Sequence, residues 1–399
     1  MNGVGRIVGI TRWRTHWQGV TLVVALFLVL FVLLMVSGSA QTLPVSPDSR
    51  TLETVHDSPG LTAYYPPPGR EWRFRRAVFT LFLDEAIAPL AADAGFDTVV
   101  QVFPWRDLNP SPDLYTWEAS DYMVRIARTH GLELVVRLDM PPEWAIVPHR
   151  HSGLPLDLVA YADFVAAVVE RYQGHVLGYI IWNEPNLAAE WSRSGGDLSQ
   201  HWESFDGWVA APVDYVGVLC EAYNVIHAAD PDALVVAAGL APTNEVSPRA
   251  LDDRLFLRQI YAAGAANCFD VLSVHDYGYG LSPEDERGAH GGLNLARILD
   301  LRDIMVAHGD HKPVWITELG YTVQPGLHPS VSEEEQAAYL VGSFERVQRD
   351  WPWVEMLTVW NLCYGLPPDN EMSGYSLVEP DLTPRMAYWA LRETWKRND

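Results

Sequence analysis

Residues 173–186 read QGHVLGYIIWNEPN. A two-residue turn (Gln173-Gly174) leads into a short, mostly apolar run that stops at Trp182-Asn183-Glu184-Pro185-Asn186. A run of this length with no polar alternation predicts a strand covered on both faces, as in a parallel sheet. The same unit recurs on either side. Ala94-Gly95 precedes FDTVVQVF (96–103), His130-Gly131 precedes LELVVRLD (132–139), and Asp230-Pro231 precedes ALVVAAGL (233–240). Gly264-Ala265 comes before FDVLSVHDY (269–277), His308-Gly309 before PVWITELG (313–320), and Asp350-Trp351 before VEMLTVWN (354–361).

These are seven strands, and a first one within 72–81 (WRFRRAVFTL) makes eight. Amphipathic helical stretches separate them, the last at about 384–396. Eight such units predict an α/β fold of the (β/α)8 barrel type over residues 71–399. A doubly wound sheet is the competing topology, but no glycine-rich phosphate loop follows any strand. The turns from helix to strand are short, whereas segments 185–213, 277–292 and 361–383, which follow strands, are long. In a barrel those segments gather at the C-terminal face, where active sites are built.

Composition agrees. The chain has 399 residues, 48% hydrophobic and 20% charged, which is globular and rules out a disordered or multi-span membrane chain. A net charge of −23 repels polyanions and argues against a nucleic-acid partner. Residues 20–36 carry no charge and follow Arg6, Arg12 and Arg14. The segment 1–40 therefore reads as a signal peptide, with Gly38-Ser39-Ala40 as a small-residue cleavage site, or as an uncleaved anchor. Either would export the rest of the chain, and the membrane enters only through this segment. Residues 41–70 read as a linker. Cys220, Cys268 and Cys363 allow at most one disulfide, and buried free thiols are the default expectation.

Two strands end in a glutamate, Glu184 on strand four and Glu318 (Thr317-Glu318-Leu319-Gly320) on strand seven. In a closed barrel these ends face one another across the mouth. A carboxylate pair is the minimal equipment for breaking a glycosidic bond, with one member holding a proton and the other ionised. Taken singly, either glutamate is better explained as structural, paired with an arginine.

With these motifs the chain, over roughly residues 70–396, resembles the large clan of retaining (β/α)8 glycoside hydrolases that includes families 5, 39 and 42. The resemblance is strongest at Trp182-Asn183-Glu184-Pro185-Asn186 and extends to Trp315-Ile316-Thr317-Glu318-Leu319-Gly320. It implies a retaining glycosidase, exported by the N-terminal segment and acting on a poly- or oligosaccharide, with Glu184 as acid/base, Glu318 as nucleophile and Asn183 bonding the sugar 2-hydroxyl. It further implies that His275 and Tyr277 (strand-six His-x-Tyr) serve the site, that Tyr277 donates to Glu318, and that Trp360 floors the sugar subsite. Trp105, Trp144 and Trp191 are expected to contact substrate. No metal or organic cofactor is expected.

Strands two and three differ from family 5, which usually carries an arginine and a histidine there. Here they read Gln101-Val102-Phe103-Pro104-Trp105 and Arg137-Leu138-Asp139, and Pro142-Glu143-Trp144 is closer to family 39-like enzymes. A glycan-binding barrel without activity, or a transglycosylase using the same pair, are the alternative functions. His149-Arg150-His151 lacks a third metal ligand and reads as exposed loop. Glu284-Asp285-Glu286-Arg287 also reads as a solvated loop, and Ser332-Glu333-Glu334-Glu335 as a helix capping box.

Overall fold

The computed structural model describes residues 73–146, 156–191, 212–247, 249–326 and 328–398. The proposed signal or anchor segment, the linker and His149-Arg150-His151 lie outside them, as does 192–211 within the long segment after strand four. Among the described residues no helix is long and apolar enough to cross a membrane.

Eight strands form a closed parallel barrel in sequence order, β8 pairing back onto β1. They are β1 (Arg75–Thr80), β2 (Thr98–Val102), β3 (Glu133–Leu138), β4 (Gly178–Ile181), β5 (Leu234–Leu240), β6 (Val271–Tyr277), β7 (Val314–Gly320) and β8 (Val354–Val359). β1 falls inside the 72–81 window. The strands are buried almost without interruption, because side chains of one parity fill the barrel and those of the other meet the helices.

The outer ring is α1 (Ile87–Ala94), α2 (Glu118–Thr129), α3 (Leu158–Tyr172), α4 (Pro212–Ala229), α5 (Asp253–Ala262), α6 (Ile298–Ala307), α7 (Glu333–Asp350) and α8 (Met386–Asn398). Their starts follow local chemistry. The side chains of Asp157 and Asp252 accept from the first-turn amides of α3 and α5. Ser332 and Glu335 form the expected capping box of α7. Gly95 ends α1 at φ 95°, a left-handed turn that glycine adopts without a Cβ clash, and β2 begins three residues later.

The cysteine expectation needs correction. Cys220 on α4 and Cys268, just before β6, are joined in a disulfide with Cα atoms 4.6 Å apart. The two are 48 residues apart in sequence. They meet because α4 packs beside the turn that enters β6, a neighbourhood that spacing alone does not reveal. Only Cys363 is a free thiol.

Candidate active site

The ends of β3, β4, β6 and β7 converge on one cluster. β4 leaves the barrel ladder after Ile181, and the chain turns sharply at Trp182 (φ 75°) and Glu184 (φ 37°). Left-handed backbone is unfavourable for such residues and persists only where the surroundings over-determine it. Here the Trp182 amide donates to the Leu138 carbonyl at 3.2 Å and the Glu184 amide to the Gly239 carbonyl at 3.0 Å. The Asn186 side chain ties the turn to β5, donating to the Ala241 and Leu251 carbonyls and accepting from the Ala241 amide. The result aims Glu184 inward. Glu318 lies within β7 on the right-handed side of backbone space, just after a register shift: Ile316 pairs with Val274 of β6 but Glu318 with His275, so Thr317 is an extra residue of the kind that re-aims the side chain after it.

One oxygen of Glu184, one of Glu318 and a ring nitrogen of His275 all lie within 4.8 Å of one another. His275 Nδ1 is 2.8 Å from Glu184 Oε1 and 3.7 Å from Glu318 Oε2. The ring sits where β5 has Gly239, and any Cβ there would come within 2.2 Å of it. Burial disfavours the charged imidazole, but the adjacent Glu318 and Glu184 outweigh it and hold its pKa above the ordinary value. The Tyr277 hydroxyl donates to Glu318 Oε2, and burial together with the two carboxylates keeps this phenol protonated far above the usual range.

The third partner of Glu318 is Arg137 of β3, whose Nη1 donates to Glu318 Oε1 at 3.0 Å and to Asn183 Oδ1 at 2.7 Å. Its Nε lies 2.9 Å from Asp139. Burial opposes the guanidinium charge, but Asp139, Glu318, Glu190 and Glu184 more than offset it and raise its pKa. Asn183 in turn donates from Nδ2 to Glu190 Oε2 at 2.8 Å. Sequence patterns single out neither Arg137 nor Glu190. The available signal for Arg137 is a charge inside the apolar run LELVVRLD, since a buried arginine requires acidic partners. Glu190 lies in a post-strand segment with no local signature.

The expected aromatic residues divide. Trp360 stands at the end of β8 with its ring centroid 6.0 Å from Tyr277 and 5.4 Å from Tyr375, walling one side of the cluster. Trp144 is half-buried, and its indole donates to the Asn109 carbonyl at 3.1 Å. Trp105 and Trp191 are corrections. Trp105 is 0% exposed, stacked on Phe164 at 5.2 Å and bonded to Asn109; Trp191 is 1% exposed, packed against Trp182 and Tyr215. Neither has a ring face left for a ligand, because both fill space between strand ends and the outer helices.

Glu184, His275 and Glu318 also form an O, N, O donor set of metal-binding dimensions. Its atoms are already engaged, however. Both Glu318 oxygens accept hydrogen bonds, His275 Nδ1 is committed to Glu184, and the Arg137 guanidinium would repel a cation. The arrangement suits proton transfer and nucleophilic attack between two carboxyls.

No family model matches this chain, and no curated protein matches it either. Solved structures do. A family 39 glycoside hydrolase from the gut symbiont Bacteroides cellulosilyticus WH2 is 20% identical with a TM-score of 0.61, over 81% of this chain and 63% of that one. This chain thus spans less than two thirds of that protein. A family 10 endoxylanase from a sugarcane soil metagenome is 16% identical at a TM-score of 0.55, over 80% and 97% of the two chains. Xylanase 10B from Thermotoga maritima is 14% identical at 0.55, over 82% and 96%. At such identities the likeness is one of fold. The chain is a (β/α)8 barrel, the fold it shares with these glycoside hydrolase structures, and no single family is marked out.

Proposed function

We propose that this protein is a retaining glycosidase that cleaves O-glycosidic bonds of an oligo- or polysaccharide by double displacement. Glu318 attacks the anomeric carbon while Glu184 protonates the departing oxygen, leaving a glycosyl ester on Glu318. Water, deprotonated by Glu184, then attacks the same carbon and frees Glu318. The observation that carries the reading is the pair of oxygens within 4.8 Å across the barrel mouth. Retaining enzymes hold their carboxyls about 5–5.5 Å apart, whereas inverting ones leave about 6.5–9.5 Å for a water. The pair sits at the C-terminal ends of β4 and β7, and Tyr277, Arg137 and His275 are already directed at it.

Export belongs to the same proposal. The basic-then-apolar segment ending near residue 36 supports it, and so does the Cys220–Cys268 disulfide, a bond that persists in oxidising compartments. The decisive experiment offers the purified protein a panel of aryl glycosides and follows the first-formed product by NMR. Retention of anomeric configuration is expected, with turnover lost in Glu318→Gln. Inversion would rule out the covalent route. Glycan binding with no turnover across the panel would instead make the barrel a binding module.

A further inference from the structure

The Asn183 amide is clamped at both ends by groups of opposite chemistry. On its oxygen side Arg137 Nη1 offers only hydrogens; on its nitrogen side Glu190 offers an accepting carboxylate oxygen. All three residues are buried. A guanidinium cannot accept and an ionised carboxylate cannot donate, so a flipped amide would set donor against donor and acceptor against acceptor. One orientation remains. Among the described contacts it leaves one Nδ2 hydrogen and one Oδ1 lone pair uncommitted, in a set order, on the residue next to Glu184.

The same Arg137 Nη1 reaches Glu318, so a single nitrogen links side chains from β4 and β7, strands that are not neighbours. Glu190 is brought in by the single helical turn Ala188–Trp191, whose backbone is held to the β4 end by the Trp182 indole donating to the Glu190 carbonyl at 3.2 Å.

We propose that Arg137 and Glu190 are positioning residues that lock the Asn183 amide, and that Glu190 is thereby a third functional carboxylate of this site, setting the preference for a hydroxyl next to the reacting carbon. The proposal rests on the glycosidase reading, in which Asn183 faces the sugar. With Glu190 removed, Arg137 still holds the amide oxygen, but the plane of the amide is free to swing. The substrate hydroxyl then loses an aligned partner, while a sugar without that hydroxyl loses nothing at this point.

The test compares an aryl glycoside with its 2-deoxy counterpart on wild type, Glu190→Gln and Glu190→Ala. Gln keeps an accepting oxygen and is expected to keep the wild-type ratio of kcat/KM between the two substrates. Ala is expected to lower that ratio by up to roughly tenfold, the value of one well-aligned hydrogen bond between neutral groups. If Glu190 only fills space, both substrates slow in proportion and the ratio stays put, which overturns the proposal.

A second readout needs no substrate. With 15N-asparagine labelling, the Asn183 side-chain hydrogens should exchange slowly in wild type and Glu190→Gln, and roughly tenfold faster in Glu190→Ala. Unchanged exchange in the alanine variant refutes the lock whether or not any glycoside is turned over. A wild type with no activity on the panel would count against the glycosidase reading and leave the exchange result standing.

Discussion

The ends of β4 and β7 each carry a glutamate, yet the chain delivers the two in different ways. Glu318 lies inside its strand, beside a one-residue register shift, and is 6% exposed, with one oxygen on Arg137 and the other on Tyr277. Glu184 lies past the end of its strand on left-handed backbone, is more exposed, and its side chain is met by His275 alone among the described contacts. The difference suits two kinds of chemistry. A nucleophile must point along one line at one atom, and donors on both oxygens remove its rotational freedom. A group that gives up a proton and later recovers it needs access to the leaving group and to water, and one partner leaves an oxygen free for both.

Several variants would break or sharpen this contrast. Glu318→Gln is expected to have the largest effect, lowering kcat/KM on aryl glycosides on the order of 10^4- to 10^6-fold, as for loss of a nucleophile. Activity within an order of magnitude of wild type would remove β7 from the chemistry. Glu184→Gln should cost about 10^2- to 10^4-fold, the usual range for a positioned acid or base. That loss should shrink for leaving groups that need no proton, whereas Glu318→Gln should be indifferent to the leaving group. A uniform loss in both would erase the distinction between the two ends.

Tyr277→Phe removes one donor from Glu318 only. A hydrogen bond to a charged group is worth about 1.5–3 kcal/mol, so a rate loss of roughly 10- to 100-fold is expected, again without leaving-group dependence. Gly239→Ala probes the other side, because its Cβ must displace the His275 ring that holds Glu184. Its losses should follow the leaving group as those of Glu184→Gln do, alongside a stability cost of about 1–3 kcal/mol for overpacking.

The smallest effect on activity is expected on the outward side of β6, where the change is in stability instead. Asp276 points away from the cluster, and burial pushes its pKa up to about 8 against the pull of Arg297. The folded state therefore keeps a proton that the unfolded chain releases above about pH 4, and stability falls as pH rises toward 8, by at most about 1.4 kcal/mol per unit. His275 acts in the same direction: its raised pKa contributes stability that is complete below about pH 6.5 and lost as pH rises through the folded value. Asp276→Asn should flatten the melting temperature between pH 5 and 8 while leaving the kinetic contrast between the two glutamates intact. An unchanged slope would assign the whole dependence to other groups.

Much of this was legible in the chain. The repeated turn and apolar run announced eight parallel strands, and Trp182-Asn183-Glu184-Pro185-Asn186 and Thr317-Glu318-Leu319 marked which strand ends matter. Such features are local, set by side-chain period and by the residues that stop a strand, so they survive without knowledge of neighbours. Tryptophan exposure was not legible in the same way. Trp105, Trp144 and Trp360 all follow strands, yet Trp105 is core, Trp144 is half-buried and Trp360 walls the site.

The sequence by itself determined the barrel, the positions of the two glutamates within it, and the His275 and Tyr277 pair that lies beside them. Only the tertiary structure decided that Arg137 reaches Glu318 across 181 positions, that Glu190 closes on Asn183, that Cys220 meets Cys268, and that Trp105 and Trp191 are walled in. Each of these depends on closing the ring and packing helices around it. That step brings distant residues together through shape and charge, which local periodicity does not encode.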